Sequence, residues 1–499
     1  MECKFHAIME SGKSGISGPR GRVYPSFERM NDMQCLERSM LERYDITPHA
    51  PHQVKAVFFG TSAVMLGMAA RLLDDAAPDV GAVCVQTDNS GFAEKLNSQD
   101  GLYTVIVRGY LNDRDVHREH VVQNILRAVN PETDFEAVTA LAKEETLSAA
   151  FLDTESDDAS AAIGLASKLL YERMREGLPG LHMICLGETA ECAEAVRQAV
   201  LKIAASWNVG EGFADWLEAA CAFYPALADC LVSRSTPEEA ARLCAEMNYA
   251  DAMIHIAEPY ASLVIQAPES FRQAYPWEKT YGIRFTDDIR PEFIKKHRIF
   301  DAGLFLMAGP GYLAGCNTLR DCMQKENLRE YIGRAFFDEI IPNMPFAREE
   351  IAPYVISAFE RFENPLNDNR LLDCAHHLMK LFMRGVLPVI RMWSEENFEV
   401  PPLLGHAFAA AIMLYAGVRP NARGVYEVAR GEETHELNDR PEILEAFACL
   451  AHDMPCESLA YAVLADRNIW NGEDLRDIDG LESRVVFSIS AIQQGYNYK

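Results

Sequence analysis

Short apolar runs alternate with helical periodicity over the first 290 residues, at 54–59, 82–85, 102–107, 149–152, 182–186 and 228–232. The first run, Val54-Lys55-Ala56-Val57-Phe58-Phe59, stops at Gly60. Thr61-Ser62 follows, and then apolar residues recur at helical spacing over 64–73, so the text predicts strand, tight turn and helix. Strands that are apolar throughout and separated by helices predict a largely parallel sheet covered on both faces. Beyond about Pro291 the alternation gives way to helix after helix, at 291–307, 327–341, 369–382 and 404–415 and on to about Leu464. The pattern predicts an α/β domain over 51–290 and an all-α domain over 291–499.

Residues 1–50 carry Gly, Ser, Pro and mixed charge with little periodicity and read as a flexible arm. Ser11-Gly12-Lys13-Ser14-Gly15 is not a phosphate loop: position 7 is Ala where the loop needs Gly, and no strand precedes it. There is no basic-then-apolar leader and no apolar stretch of about 20 residues, so the sequence predicts a cytoplasmic chain with no membrane partner.

Composition narrows the chemistry. The 499 residues hold 47 Lys and Arg against 74 Asp and Glu, a formal net charge of −27. A chain this acidic, with no basic stripe, argues against nucleic acid as a partner. The 13 cysteines are scattered without a C-x-x-C pair and read as reduced thiols rather than disulfides or a zinc site.

In a doubly wound sheet ligands sit at the carboxyl ends of the strands, so Gly60, Thr61 and Ser62 are candidates to hold a dinucleotide's pyrophosphate. The match to G-x-G-x-x-G is incomplete: Ser62 and Met65 occupy the second and third glycine positions, and Gly67 comes two residues late. A turn without a ligand is the competing reading. Asp88, just past the second strand, is placed to accept the ribose hydroxyls of NAD, or simply to form a turn. Lys295-Lys296-His297-Arg298, on the first helix of the second domain, is either a solvated charged face or an anion-binding surface with a lysine able to exchange a proton. His117 with His120, and His376 with His377, lack a third ligand at metal spacing and carry no metal assignment.

Several stretches taken together carry a resemblance. They include Leu96-Asn97-Ser98-Gln99-Asp100-Gly101, Glu246-Met247-Asn248-Tyr249, Val264-Ile265-Gln266-Ala267-Pro268 and Asp287-Asp288-Ile289-Arg290-Pro291. Tyr312-Leu313-Ala314-Gly315, Glu339-Ile340-Ile341-Pro342 and Arg361-Phe362-Glu363-Asn364-Pro365 follow in the same order. From about residue 50 to about 420 the chain resembles the polyol-specific long-chain dehydrogenases, the mannitol dehydrogenase family, and within it the tagaturonate reductase branch.

The resemblance implies a Rossmann-type domain followed by a helical domain, a cleft between them, and metal-independent hydride transfer with NAD on a small sugar acid or polyol. It also implies a catalytic Lys with Asn five residues on and His three further. The Lys is Lys296, but Asp301 stands at the Asn position and Leu304 at the His position. At about 100° per residue, positions 296, 301 and 304 of an α-helix fall within an arc of roughly 140°, so they can address one substrate. An ionised Asp301 would then repel a developing oxyanion and weaken Lys296 as a base, and Leu304 offers no hydrogen bond. Ser62 stands where the family has Gly, with no basic residue in the turn that follows, and the retained Asp229 is followed by Cys230 where the family has Arg. Arg361, Asn364, Lys380 and Arg384 keep the pattern that implies sugar-acid binding.

Two functions follow as expectations. One is an NAD-dependent oxidoreductase interconverting a keto-sugar acid and its hydroxy acid, with Lys296 and Asp301 in the catalytic positions. The alternative is a catalytically silent relative that keeps the scaffold to bind a ligand or partner. A rebuilt site using His297 or Asp301 is a third, lesser possibility.

Overall fold

The computed structural model describes residues 33–49, 53–112, 114–207, 212–366, 369–451 and 453–495. Ser11–Gly15 and the rest of 1–32 lie outside them. The described chain forms two compact units, one ending at Phe293 and one beginning at Ile294.

The strands of the first unit are β1 (Val54–Phe59), β2 (Gly81–Val85), β3 (Tyr103–Leu111), β4 (Arg114–Val122), β5 (Ile125–Val129) and β6 (Ala149–Asp153), then β7 (His182–Leu186), β8 (Ala222–Asp229), β9 (Val232–Arg234), β10 (His255–Ala257), β11 (Ser262–Gln266) and β12 (Ile283–Thr286). Eight of them build one sheet in the order β12-β11-β8-β7-β6-β1-β2-β5. All neighbours are parallel except β11 against β8. Alternate side chains of one strand serve opposite faces. Phe58 packs with Cys84, Phe151 and Met65 on one side, whereas Val57 and Phe59 pack with Val83, Leu152 and Leu170 on the other. Both faces are therefore buried, which is why these strands read as unbroken apolar runs. The chain leaves β1 towards β2 and later returns to β6 on β1's other side. The ends of β1 and β6 thus form the switch point of a doubly wound sheet, where its ligand crevice lies.

Two predicted strands are placed differently. The run at 102–107 is β3, which belongs to a second sheet of order β4-β3-β10-β9. The run at 228–232 is no single strand: Asp229 closes β8, and β9 starts at Val232 in the second sheet. The pattern also missed β4, because its first six residues are mostly exposed and charged, Arg114-Asp115 and His117-Arg118-Glu119.

The flexible-arm expectation fails for the described part, 33–49. Leu36 and Leu41 are buried with Ile106, Val121 and Leu243. Arg38 donates to the Gln123 and Asp100 carbonyls at 2.7 and 3.1 Å, and its backbone N–H donates to the Asp100 carboxylate. Met40 is buried as well, and His49 bonds to Gln123 and lies beside Asp74, so a segment too short to show periodicity is docked along its length.

The predicted 291–307 helix starts just before the second unit and is present as the consecutive segments Arg290–Lys295, Lys296–Asp301 and Ala302–Leu313, the last of which is buried almost all round. It packs on the equally apolar Pro402–Ala416. The predicted 369–382 helix is broken into Leu371–Cys374 and Leu378–Leu381 around His377, which is left-handed at φ +56°. The cause is buried Asp439, which accepts the Met379 N–H and the Tyr415 hydroxyl, at 3.2 and 2.6 Å, and so caps the restarted helix. A small antiparallel sheet, β13 (Arg419–Pro420), β14 (Tyr426–Arg430) and β15 (Glu433–Glu436), interrupts the helices. No described helix is long and apolar enough to cross a membrane.

Candidate functional site

The turn after β1 is Gly60-Thr61-Ser62. Gly60 sits at φ +113°, a conformation closed to most side chains. Ser62 takes over part of what a glycine turn would leave to a ligand. Its Oγ donates to Asp153 Oδ2 at the end of β6, 2.6 Å away, and accepts the Met65 N–H at 3.1 Å. Burial pushes the Asp153 carboxyl up from its ordinary range, against the opposing bonds from Ser62 and the Glu155 N–H. Phe58 and Met65 lie in the core and do not cover the turn. Gly67 does the work of a packing glycine: a Cβ there would lie 2.4 Å from Val232 and 3.2 Å from His255, so the helix after the turn presses directly on β9 and β10.

Beyond β2, Thr61 Oγ1 donates to Asp88 Oδ2 at 3.3 Å, while Asp88 Oδ1 accepts from the Ser90 N–H and hydroxyl. Asp88 lines a cavity of about 380 Å³ with Gln86, Thr87, Asn130, Glu132 and Gly164. This has the size and place of a site for the adenosine half of a dinucleotide at the carboxyl ends of β2 and β5. Two carboxylates line it and, among the described lining residues, no Lys or Arg. The turn and the cavity fit a dinucleotide without a ribose phosphate.

The second cluster lies in the second unit. Lys296–Asp301 is wound with i→i+5 hydrogen bonds, the Ala302 N–H reaching back to the His297 carbonyl. Residues five apart then lie one turn apart. The shared face expected of an α-helix is thereby tightened to direct contact: Lys296 Nζ is 3.3 Å from Asp301 Oδ1, and both are buried. Arg384 Nε donates to Asp301 Oδ2 at 2.8 Å, and His297 Nε2 lies 3.9 Å from that oxygen. Gly385 permits this approach, since a Cβ there would meet the His297 carbonyl at 2.5 Å. Asp301 is thus not a bare charge but the centre of a cation–carboxylate–cation group with a single net positive charge when all three are ionised.

The basic run is not a solvated face. Lys295 pairs with Glu350 at 3.1 Å and Arg298 donates to the Asn343 carbonyl. Leu304 is buried in the core. Arg361 is buried with its guanidinium 3.5 Å from the centroid of Phe300. Asn364, also buried, accepts the Leu366 N–H through its side chain, and Lys380 is half-buried on Leu378–Leu381. Asp229 is buried at the end of β8. Of the candidate histidines, His120 Nε2 donates to the Asp74 carboxylate at 3.0 Å, His117 is exposed, and His377 lies beside Asp439.

Sequence reasoning missed Asp153, Asp158, Glu132 and Arg234. Asp158 bonds to Thr87 Oγ1 beside Gly60, and Arg234 bonds to Thr61 from 173 residues away. An acid closing a buried strand was the available signal for Asp153; nothing local marks Arg234.

Family comparison matches residues 54–279 to the mannitol dehydrogenase Rossmann domain and residues 288–493 to the mannitol dehydrogenase C-terminal domain. An altronate oxidoreductase of Klebsiella pneumoniae (strain 342) is 28% identical over 439 residues, covering 83% of this chain and 88% of that one. One of Yersinia pestis is 26% identical over 438 residues, with the same coverage. Among solved structures, the Pseudomonas fluorescens mannitol 2-dehydrogenase ternary complex with NAD and D-mannitol superposes with a TM-score of 0.74 at 16% identity, covering 93% of this chain and 98% of that one. D-sorbitol dehydrogenase in substrate-free form gives 0.70 at 17% identity, covering 93% and 99%. At these identities the two structures speak to the fold alone.

Proposed function

Since the chain belongs to the mannitol dehydrogenase family, with both family domains matched in order, we propose that it is an NAD-dependent oxidoreductase interconverting a keto-sugar acid and its hydroxy acid, of the tagaturonate and altronate type. The observation that carries this reading is the buried Lys296–Asp301–Arg384 group.

A carboxylate 3.3 Å from Lys296 favours the ammonium. Lys296 is then the proton donor to the substrate oxygen in the reducing direction and takes the proton back in the other. Arg384 offsets the charge of Asp301, so the group presents a positive field to the developing alkoxide instead of repelling it. This answers the objection raised by Asp301 in the Asn position. Leu304 remains a lost hydrogen bond, which commonly costs about 10² to 10³ in rate.

When bound, the nicotinamide supplies or accepts the hydride. Gly60, Thr61 and Ser62 are the residues to hold its pyrophosphate, and Asp88 its adenosine ribose. A carboxylate at Asp88, with Glu132 beside it, repels a ribose phosphate, so we assign NAD rather than NADP. Asp229, Asn364 and Lys380 are assigned to the sugar acid by their family positions. Arg361 supports Phe300, next to Asp301, through its cation–π contact.

The test is a substrate panel with NADH, following loss of the reduced-nicotinamide absorbance. Tagaturonate and fructuronate should turn over faster than fructose, which lacks the carboxylate. Preference for fructose would overturn the sugar-acid assignment. No oxidation with any of them would leave the silent-relative reading.

A further inference from the structure

We propose that Arg234 is the residue that holds the cofactor's diphosphate, supplying from β9 the positive charge that the turn after β1 lacks in its own sequence. The proposal rests on the nucleotide-binding reading above and adds to it a residue that no motif marks.

Arg234 is the last residue of β9, and β9 reaches the turn because Gly67 lets the intervening helix press against Val232. The Arg234 Nη2 donates to the Thr61 carbonyl at 2.5 Å and to Thr61 Oγ1 at 3.2 Å. Nη2 makes both bonds, so Nε and Nη1 are left without a protein partner among the described residues. The side chain is exposed overall although its tip is anchored. A guanidinium fixed by one edge, with its other donors open, is the arrangement that binds a phosphate oxygen pair.

The surroundings make the cation necessary. Three carboxylates converge on this turn: Asp88 through Thr61, Asp153 through Ser62, and Asp158 through Thr87. A diphosphate held at this turn lies close to their negative charge. Among the described residues bonded to 60–62, Arg234 alone brings positive charge.

The competing reading is that Arg234 only staples the turn. The two separate by ligand. NADH and ADP each carry a diphosphate and adenosine carries none, so calorimetric and competition titrations of the full chain with all three distinguish them. Arg234→Ala should weaken NADH and ADP by about 10- to 100-fold, the range of a charge-assisted hydrogen bond. Adenosine should stay within about twofold, the margin expected for an interaction it does not make. Arg234→Lys should recover part of the loss and guards against misfolding of the alanine variant. Unchanged ADP affinity, or equal losses for ADP and adenosine in both variants, would overturn the proposal while leaving the nucleotide reading intact. Failure of the wild-type chain to bind any of the three would overturn both.

Discussion

Replacing Glu339 with Gln should change how the stability of the second unit depends on pH. Both oxygens of the Glu339 carboxylate accept N–H groups from the first turn of Pro402–Ala416, those of Leu403 and Leu404, at 2.8 Å each. Burial pushes this carboxyl from 4.5 up to about 7, against those two bonds. The folded protein therefore holds the proton more tightly than the unfolded chain does. The resulting contribution is fully present below pH 4.5 and is lost as pH rises through about 7. A shift of this size is worth about 3 kcal/mol at about 1.4 kcal/mol per pH unit.

Gln does not titrate. It accepts one N–H and turns its own N–H₂ towards the other, a cost of about 1–3 kcal/mol that does not vary with pH. The stability of Glu339→Gln relative to wild type should thus rise by about 3 kcal/mol across that window and stay level above it. Urea unfolding at half-unit pH steps, with amide exchange at Leu403 and Leu404 as the local probe, measures both. Parallel curves for the two proteins would mean instead that Glu339 keeps an ordinary pKa.

Other perturbations test other parts. Ser62→Gly, which installs the family residue, removes a charge-assisted bond to Asp153 and a helix cap, and should lower stability by about 2 kcal/mol in urea unfolding. The His49 pKa is raised chiefly by its hydrogen bond to Asp74, so its clasp on segment 33–49 holds at low pH and loosens as pH rises through that elevated value. Proteolysis of the segment should accelerate over that range, and His49→Gln should abolish the dependence. Arg173, fully buried, donates to the carbonyls of Ala142, Glu144, Leu147 and Pro179. Arg173→Met strands four acceptors and should cost about 3–5 kcal/mol in the same unfolding assay, whereas a change under about 1 kcal/mol would mean that water replaces the guanidinium.

How much of this was legible depended on where each contact lies along the chain. β1, β2, β6 and β7 were readable because a strand buried on both faces is apolar at every position. β4 was not, since an exposed edge strand carries charge and shows half an alternation at best. The split between the two sheets was invisible, because the buried start of β3, through Val105-Ile106-Val107, reads like a strand of the main sheet. Lys296 and Asp301 were identified through the resemblance, but their contact depends on a turn wound wider than an α-helix, which no spacing rule based on 100° per residue anticipates. Arg384 completes the group from 83 residues away. Ser62 looked like damage to a glycine fingerprint; in the fold it caps a helix and binds Asp153, which explains why a serine is stable there without saying that it favours a ligand.

On the proposed function, this chain binds NAD(H) and moves a proton through Lys296. The most direct measurement is a titration of the full-length protein with NADH, followed by tagaturonate, in wild type and in Lys296→Ala. Saturable NADH binding is expected in both proteins, with tagaturonate-dependent oxidation in wild type reduced at least about 10²-fold in the variant, as for loss of a general acid. Equal oxidation rates in the two proteins, or no NADH binding at millimolar concentration, would contradict the proposed function.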